Sequence, residues 1–483
     1  MAEPRTSSIS QRLVARGAIY TVAIVLQAAG SFLILPILTR VIPQTEFGLV
    51  VGATITIQFL IMMAALGLQA SITRSYYSEK EGNRASAALV WHAAVIASIV
   101  CILVAVTAPL WQAFVIGSST SAVAVASALT AVPGTIITCV QAHLRAANRK
   151  FLFVLLAAVA AVGAPVAGLI TAQLSIPTAL NYVVGYAAYL SASSILSLVI
   201  LSKPGSLLRD LGLLKRNLGI GLPTLPHVGS LYVLNMGDRV IIQHFFGLPA
   251  VAQYQIGYIV GGISVILAYA VNNAWAPMVY ELPAEQRLAF LTTTTRTLVR
   301  LAAVGACLLC AVLPWVMPLM APTSYDYLVL VQVAAIMSVC GIMVVRYLSH
   351  VHRLFAAGKT GLLAISTPLS VAFAIAITVP AVLLFGLPGA AAATLLGYLL
   401  QIVVTKAAAR RSLGVEWSGP PDRWILTLVA SVVVFRCAVP SSNIISIVCM
   451  ASAGVLGVAA WRSLDKHVIP GDFRLLGSGH GAS

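Results

Sequence analysis

Charge is what this chain has least of. Only 9% of its 483 residues are Asp, Glu, Lys or Arg, while 60% are hydrophobic and the mean hydropathy is +0.97. A soluble protein of this length cannot cover so much apolar surface, so an integral membrane protein is implied. Acids are scarcer still, 13 against 29 bases. That shortage argues against a cation-binding cleft and against the paired or metal-binding carboxylates a membrane enzyme needs. The seven cysteines (Cys101, Cys139, Cys307, Cys310, Cys340, Cys437 and Cys449) lie in or beside apolar runs, where thiols behave as small hydrophobes, and imply no disulfide framework. No P-loop, nucleophile elbow or zinc-ligand spacing is present, and no metal or cofactor is expected.

The net charge of +16 does not mark a nucleic-acid partner. The bases stand in short gaps between apolar runs, as topology signals do, rather than on one binding face. Runs long enough to cross the hydrocarbon core lie near 17–39, 47–70, 87–111, 120–141, 151–173, 179–201, 218–246, 249–276, 298–320, 328–349, 361–384, 388–408, 424–440 and 442–461. These fourteen spans predict an all-α integral membrane fold. No small-residue cleavage site follows the first run before the chain turns polar, so that run is expected to remain as an uncleaved span. With a cytoplasmic N-terminus, 26 of the 29 Lys and Arg fall in cytoplasmic segments. Positive charge is retained inside, so both termini are placed in the cytoplasm. The exceptions are Arg40, Arg239 and Arg436.

The chain also repeats itself. Phe47-Gly-Leu-Val50 and Val251-Ala-Gln-Tyr254 each open a span after a helix ending in an Arg-containing patch, Thr39-Arg40 and Asp238-Arg239. Ala146–Lys150 pairs with Ala356–Thr360, and Ile176-Pro-Thr-Ala179 with Leu387-Pro-Gly-Ala390, at nearly the same spacing. Six helices per copy is an even number. Two six-helix bundles (1–202 and 203–411) therefore share one orientation about an axis along the membrane normal, with two extra C-terminal helices and a tail in 412–483. Two such bundles make a clamp suited to alternating access.

Leu35-Pro-Ile-Leu-Thr-Arg40, Thr45-Glu-Phe-Gly48, Leu66-Gly-Leu68 with Thr73-Arg74, Gly237-Asp-Arg-Val240, Phe246-Gly247 and Val251–Tyr254 resemble the polysaccharide (Wzx-like) flippases of the multidrug/oligosaccharidyl-lipid/polysaccharide exporter superfamily. The likeness covers roughly residues 10–410 and identifies the superfamily better than the substrate. Ala252 departs from it, standing where these flippases often carry Gly. The resemblance implies movement of a lipid-linked oligosaccharide from the inner to the outer leaflet of a bacterial cytoplasmic membrane, some relatives being coupled to H⁺ or Na⁺. It implies membrane lipids as surroundings, a polysaccharide polymerase as a candidate protein partner, and a monomer.

On that reading the intramembrane charges acquire roles. An Arg facing lipid at mid-membrane costs somewhere from about 3 to over 10 kcal/mol, so it needs water, a partner or an interface. Arg239 shares a helical stripe with Tyr232, Asn235 and Gln243, while Asp238 points about 100° away and is not expected to neutralise it across one face. Guanidinium binds phosphate oxygens in pairs. Arg40 and Arg239, at equivalent places in the repeats, are therefore the expected diphosphate clamp, joined by Arg74. Tyr232, Asn235 and Gln243 are expected on sugar hydroxyls, and Asp238 is expected either to orient an Arg or to take part in ion coupling. The alternatives are that Arg40 and Asp238-Arg239 anchor at headgroups and that Arg74 is a topology charge, while Arg436 is expected to snorkel. The competing functions are a multidrug/cation antiporter of the same superfamily and a membrane glycosyltransferase or polymerase.

Overall fold

The computed structural model describes residues 30, 32–117, 121–201, 205–358, 361–413, 417 and 423–467. The expected first span therefore lies largely outside the described residues, as does the segment 468–483. In hydrocarbon every backbone N–H and C=O must be paired within the chain, and apolar runs of this length satisfy that as helices. Ten helices among the described residues are long and apolar enough to cross a membrane, and this is a multi-pass membrane protein.

The visible end of the first helix is α1 (Phe32–Val41). It is followed by α2 (Gln44–Met63), α3 (Leu68–Ser78), α4 (Gly82–Val106), α5 (Ala108–Val115), α6 (Ser121–Ala146) and α7 (Lys150–Ala158). A π-helical turn, Val159–Gly163, joins α7 to α8 (Ala164–Leu174), which precedes α9 (Ala179–Val199) and α10 (Leu211–Gly221). Then come α11 (Leu225–Glu281), α12 (Ala284–Met320), α13 (Tyr327–Ala356), α14 (Gly361–Leu413), α15 (Arg423–Ala438) and α16 (Asn443–His467).

Helices α11 and α14 are each two helices in one. α11 breaks at Gly247 (φ 78°, ψ −179°) and α14 at Gly386 (φ 63°, ψ −144°), conformations that a Cβ disfavours. A proline lacking a backbone donor follows two residues later, at Pro249 and Pro388. These breaks fall where the sequence placed the gaps 246–249 and 384–388.

Two expectations need correction. Span nine was drawn from 298, yet α12 is helical from Ala284 and takes in Thr292–Thr295. The threonines do not interrupt it because their hydroxyls bond back to helix carbonyls, Thr292 to Leu288 O (2.8 Å) and Thr294 to Phe290 O (2.7 Å). Nor does Arg436 snorkel. It is fully buried and donates Nη1 to Pro440 O (3.1 Å) and Ser442 O (3.2 Å), and Nη2 to Ser446 Oγ (2.6 Å). These carbonyls belong to the turn between α15 and α16, which leaves them outside any helix ladder.

Lipid tails are as apolar as the side chains they touch, so helices associate here through close packing rather than a hydrophobic drive. Small residues provide it. A Cβ at Gly257 would lie 2.8 Å from Val333 Cβ, and one at Gly261 would run into the Ala334 carbonyl, so α11 and α13 meet backbone to backbone. α2 packs on α6 and α9, and α6 on α4; α11 packs on α13 and α14, while α15 and α16 lie against α12 and α13. The basic stretches around residues 80–84, 145–150 and 215–216 adjoin one another, Tyr77 donating to Ala146 O (2.8 Å) and Arg216 pairing with Glu79 (3.5 Å), and mark the basic end of the bundle.

At the opposite, far end, α1 and α2 are tied to α11 and α12. Thr39 Oγ1 donates to Met320 O (2.8 Å), Arg40 Nη1 and Nη2 to Leu319 O and Pro318 O (both 3.0 Å), and Gln44 Nε2 to Pro249 O (3.1 Å). A Cβ at Gly48 would collide with the Leu248 carbonyl. Glu46 Oε2 accepts from Ala179 N (2.7 Å), fastening the start of α9 to the same end.

Candidate substrate cavity and the buried charge cluster

Three apolar helices each carry uncharged polar residues one turn apart: Thr54 and Gln58 on α2, Thr138 and Gln141 on α6, Tyr182 and Tyr186 on α9. Residues three or four apart share a helix face, and these faces converge. They line a cavity of about 560 Å³, closed on its other side by Tyr232, Met236, Gln255 and Ile259 of α11. The volume is in the range that encloses a small-molecule-sized group. The remaining wall is aliphatic and aromatic, including Leu35, Phe47, Ile137 and Leu190. Among the described residues no ionised side chain lines it.

Polar groups in this wall are left open to a ligand. Tyr232 is committed, its hydroxyl donating to Ile55 O at 2.6 Å, and Thr138 accepts from Gln69 Nε2 at 3.0 Å. Gln58, Gln141 and the hydroxyls of Tyr182 and Tyr186 have no hydrogen-bond partner among the described residues. The Tyr182 and Tyr186 rings lie 6.2 Å apart, giving aromatic surface beside those donors. Such a wall offers amide and phenol groups to hydroxyls and ring faces to C–H surfaces.

The two charges Asp238 and Arg239 lie behind the wall. Arg239 is 1% exposed and Asp238 6%. Contrary to the expectation from helical angles, they pair directly, Arg239 Nη1 to Asp238 Oδ1 at 2.6 Å. The long Arg side chain folds back along its own helix, also reaching Asn235 O (2.6 Å). Its Nε donates to Gln255 Oε1 (3.0 Å), and the guanidinium stacks 3.6 Å from the Tyr258 ring centroid. The other carboxylate oxygen of Asp238 accepts from Tyr254 (2.5 Å) and from Thr394 of α14 (3.2 Å). Asn235 Oδ1 accepts from Tyr398 (2.7 Å). A buried charge is costly unless paired and hydrogen-bonded, and this cluster supplies both. It joins the two segments of α11 to α14.

Of the residues read from the sequence as substrate-binding, the cavity wall contains only Tyr232. Arg40 is exposed and donates to the carbonyls of Pro36, Pro318 and Leu319, so it does not face Arg239 across a cleft. Arg239 faces neither the cavity nor the headgroups. Gln243 donates to Ala113 O at 3.3 Å and Asn235 belongs to the buried cluster. Asp238, the ion-coupling candidate, is occupied by three internal donors. Arg74 is exposed on α3 at the basic end, with no partner among the described residues. The residues missed by the sequence reading were Gln58, Gln141, Tyr182, Tyr186 and Gln255. Their signal is present as polar pairs at helical spacing, but those pairs are uncharged and stand out less in an apolar chain than Arg and Asp do.

The fold is shared with known transporters. It is similar to an inward-facing multidrug resistance MATE family transporter of the MOP superfamily (TM-score 0.63, 14% identity, 82% of this chain and 94% of that one). It is also similar to a mutant of the Vibrio cholerae MATE transporter VcmN (0.61, 14%, 84% and 98%). A third likeness is to the lipid II flippase MurJ in an inward closed conformation (0.56, 13%, 94% and 100%). No curated protein matches the chain. The family model described as "Polysaccharide biosynthesis protein" matches residues 13–282, more than half of the sequence and the whole of the cavity wall. The chain therefore belongs to the polysaccharide biosynthesis protein family, and is the Wzx-like, MOP-type protein that the motifs from Leu35 to Tyr254 resembled.

Proposed function

We propose that this protein moves a lipid-linked, polyprenyl diphosphate oligosaccharide from the inner to the outer leaflet of a bacterial cytoplasmic membrane. In this reading both termini are cytoplasmic, fourteen spans form two six-helix bundles, and a third segment follows in 412–483. The observation that carries the proposal is the chemistry of the cavity wall: free amides and phenols, ring faces and no ionised group among the described residues. A hydroxyl-rich, uncharged saccharide fits that wall. A cationic drug requires an acid to offset its desolvation, and none is there. A sugar-transferring enzyme needs a general base, which the wall also lacks among the described residues.

The Arg-lined cleft is accordingly replaced by a neutral chamber for sugars, with the diphosphate held at the basic end, where Arg74 is free to meet it. The ties at the far end leave the chamber closed on that side, so loading proceeds from the basic end.

The test is transport of a head-labelled lipid-linked oligosaccharide by purified protein in proteoliposomes, read as label newly shielded from an impermeant quencher. Gln141→Leu and Tyr186→Phe each remove one neutral hydrogen-bonding group, worth about 0.5–1.5 kcal/mol, so each weakens saccharide binding roughly two- to ten-fold. Transport of a lipophilic cation in place of the saccharide would overturn the proposal.

A further inference from the structure

A second concavity lies one residue away from the first. It is a groove of about 520 Å³ whose wall includes Phe59 and Met63 of α2, Leu225, Gly229 and Val233 of α11, and Val371 of α14. Ser230 contributes its one hydroxyl, and the rest of the wall is apolar. One side is formed by the basic-end half of α2, the other by the start of α11 with α14, so the groove opens between elements from the two halves of the sequence. Gly229 forms part of its floor. A Cβ there would meet the end of the Met63 side chain, at 3.4 Å.

Neighbouring residues alternate between the two spaces. Gln58 lines the cavity and Phe59 the groove; Tyr232 lines the cavity and Val233 the groove. The partition between them is one pair of rings, Phe59 and Tyr232, 5.7 Å apart. Tyr232 is pinned to Ile55 O, which fixes the partition in place. A ligand with a polar head and a long apolar tail must keep the tail out of a polar chamber while its head enters. This pair of spaces divides such a ligand at that junction.

We propose that the groove between α2, the start of α11 and α14 guides the polyprenyl tail of the substrate while the saccharide occupies the cavity. The assignment rests on the saccharide reading of the cavity. It places the tail away from the two C-terminal helices, which pack on α12 and α13 and contribute nothing to the groove wall. Bilayer lipid is as apolar as the groove, so the groove contributes a path and a shape rather than hydrophobic affinity. Blocking it should therefore affect passage of the tailed substrate and leave recognition of the head unchanged.

The experiment compares full-length wild type with Gly229→Trp and Val233→Trp, which fill the groove, and with Leu384→Trp, a control at a position 74% exposed on α14. Each is reconstituted and assayed for movement of the head-labelled lipid-linked oligosaccharide, and separately for binding of the same oligosaccharide without its tail. In parallel, a benzophenone amino acid at Met63 is photolysed in the presence of tail-labelled substrate. The expected result is loss of transport in both groove variants, wild-type binding of the tail-free sugar, wild-type transport in the control, and label captured at Met63. Wild-type transport by the groove variants overturns the groove and leaves the saccharide reading standing. So does capture of bulk phospholipid alone at Met63, even if the variants are inactive through misfolding. Failure of the wild type to move the tailed substrate or bind the tail-free sugar overturns the saccharide reading, and the groove assignment with it.

Discussion

Removing either member of the buried Asp238–Arg239 pair should be worse than removing both. Arg239→Met leaves the Asp238 carboxylate in a dry site with two neutral donors, Tyr254 and Thr394. Asp238→Asn leaves the guanidinium with Gln255, Asn235 O and the Tyr258 face, but with no negative charge. Stranding one charge of a buried pair costs about 3–5 kcal/mol, whereas apolar replacement of both is often close to neutral. Arg239→Met also forfeits the stacking on Tyr258, worth roughly 2 kcal/mol when desolvated, so it should be the more damaging single change. The expected order of stability is wild type, then the Asp238→Leu/Arg239→Met double variant, then Asp238→Asn, then Arg239→Met. The assay is the thermal midpoint of monodispersity for detergent-purified protein, with transport measured on the same preparations. A double variant as unstable as the sum of the singles would refute the pairing, as would an Arg239→Met protein of wild-type stability with lost saccharide binding. The second outcome would return Arg239 to the role of ligand.

Other outcomes follow from the same geometry. Gly48→Val should push α2 from the Leu248 carbonyl and open the far end, raising labelling of an introduced Gln44→Cys thiol by an impermeant reagent; unchanged labelling would show that the contact does not hold that end shut. Arg40→Ala should leave the protein folded and give a smaller rise in the same labelling, since Thr39 still reaches across to Met320 O. Arg436→Met strips two carbonyls and a hydroxyl of their donor, each unmade buried bond costing about 1–3 kcal/mol. Limited proteolysis should then cut between α15 and α16, where the wild type is not cut, and an unchanged wild-type pattern would argue against the capping role.

The membrane class, the family and the breaks at Gly247 and Gly386 were legible because they depend on composition, short motifs and residues with a single local meaning. The site was less so. Charge is conspicuous in an apolar chain, and so Arg40, Arg239 and Arg436 drew attention. Each proves to be held by backbone carbonyls, and Arg239 also by the adjacent Asp238; the carbonyls come from other helices or from neighbouring turns, which sequence spacing does not reveal. Asp238 and Arg239 leave their helix about 100° apart, but the flexible guanidinium folds back to its neighbour, so the angle between the two does not decide whether they meet. Thr54 with Gln58, Thr138 with Gln141 and Tyr182 with Tyr186 were readable as one-turn pairs, but their convergence depends on how α2, α6 and α9 pack, which periodicity within one helix does not specify.

At the far end, every acceptor for Thr39, Arg40 and Gln44 is a main-chain carbonyl, at Met320, Leu319, Pro318 and Pro249. Those oxygens persist whatever side chains α12 carries, so the fastening can be altered from one partner only. Substitutions within the six residues 39–44 should change how readily the molecule lets go on that side without touching Gln58, Gln141 and Tyr186 in the cavity wall. On the proposed function, timing and selectivity would then lie in separate parts of the chain and could be varied independently.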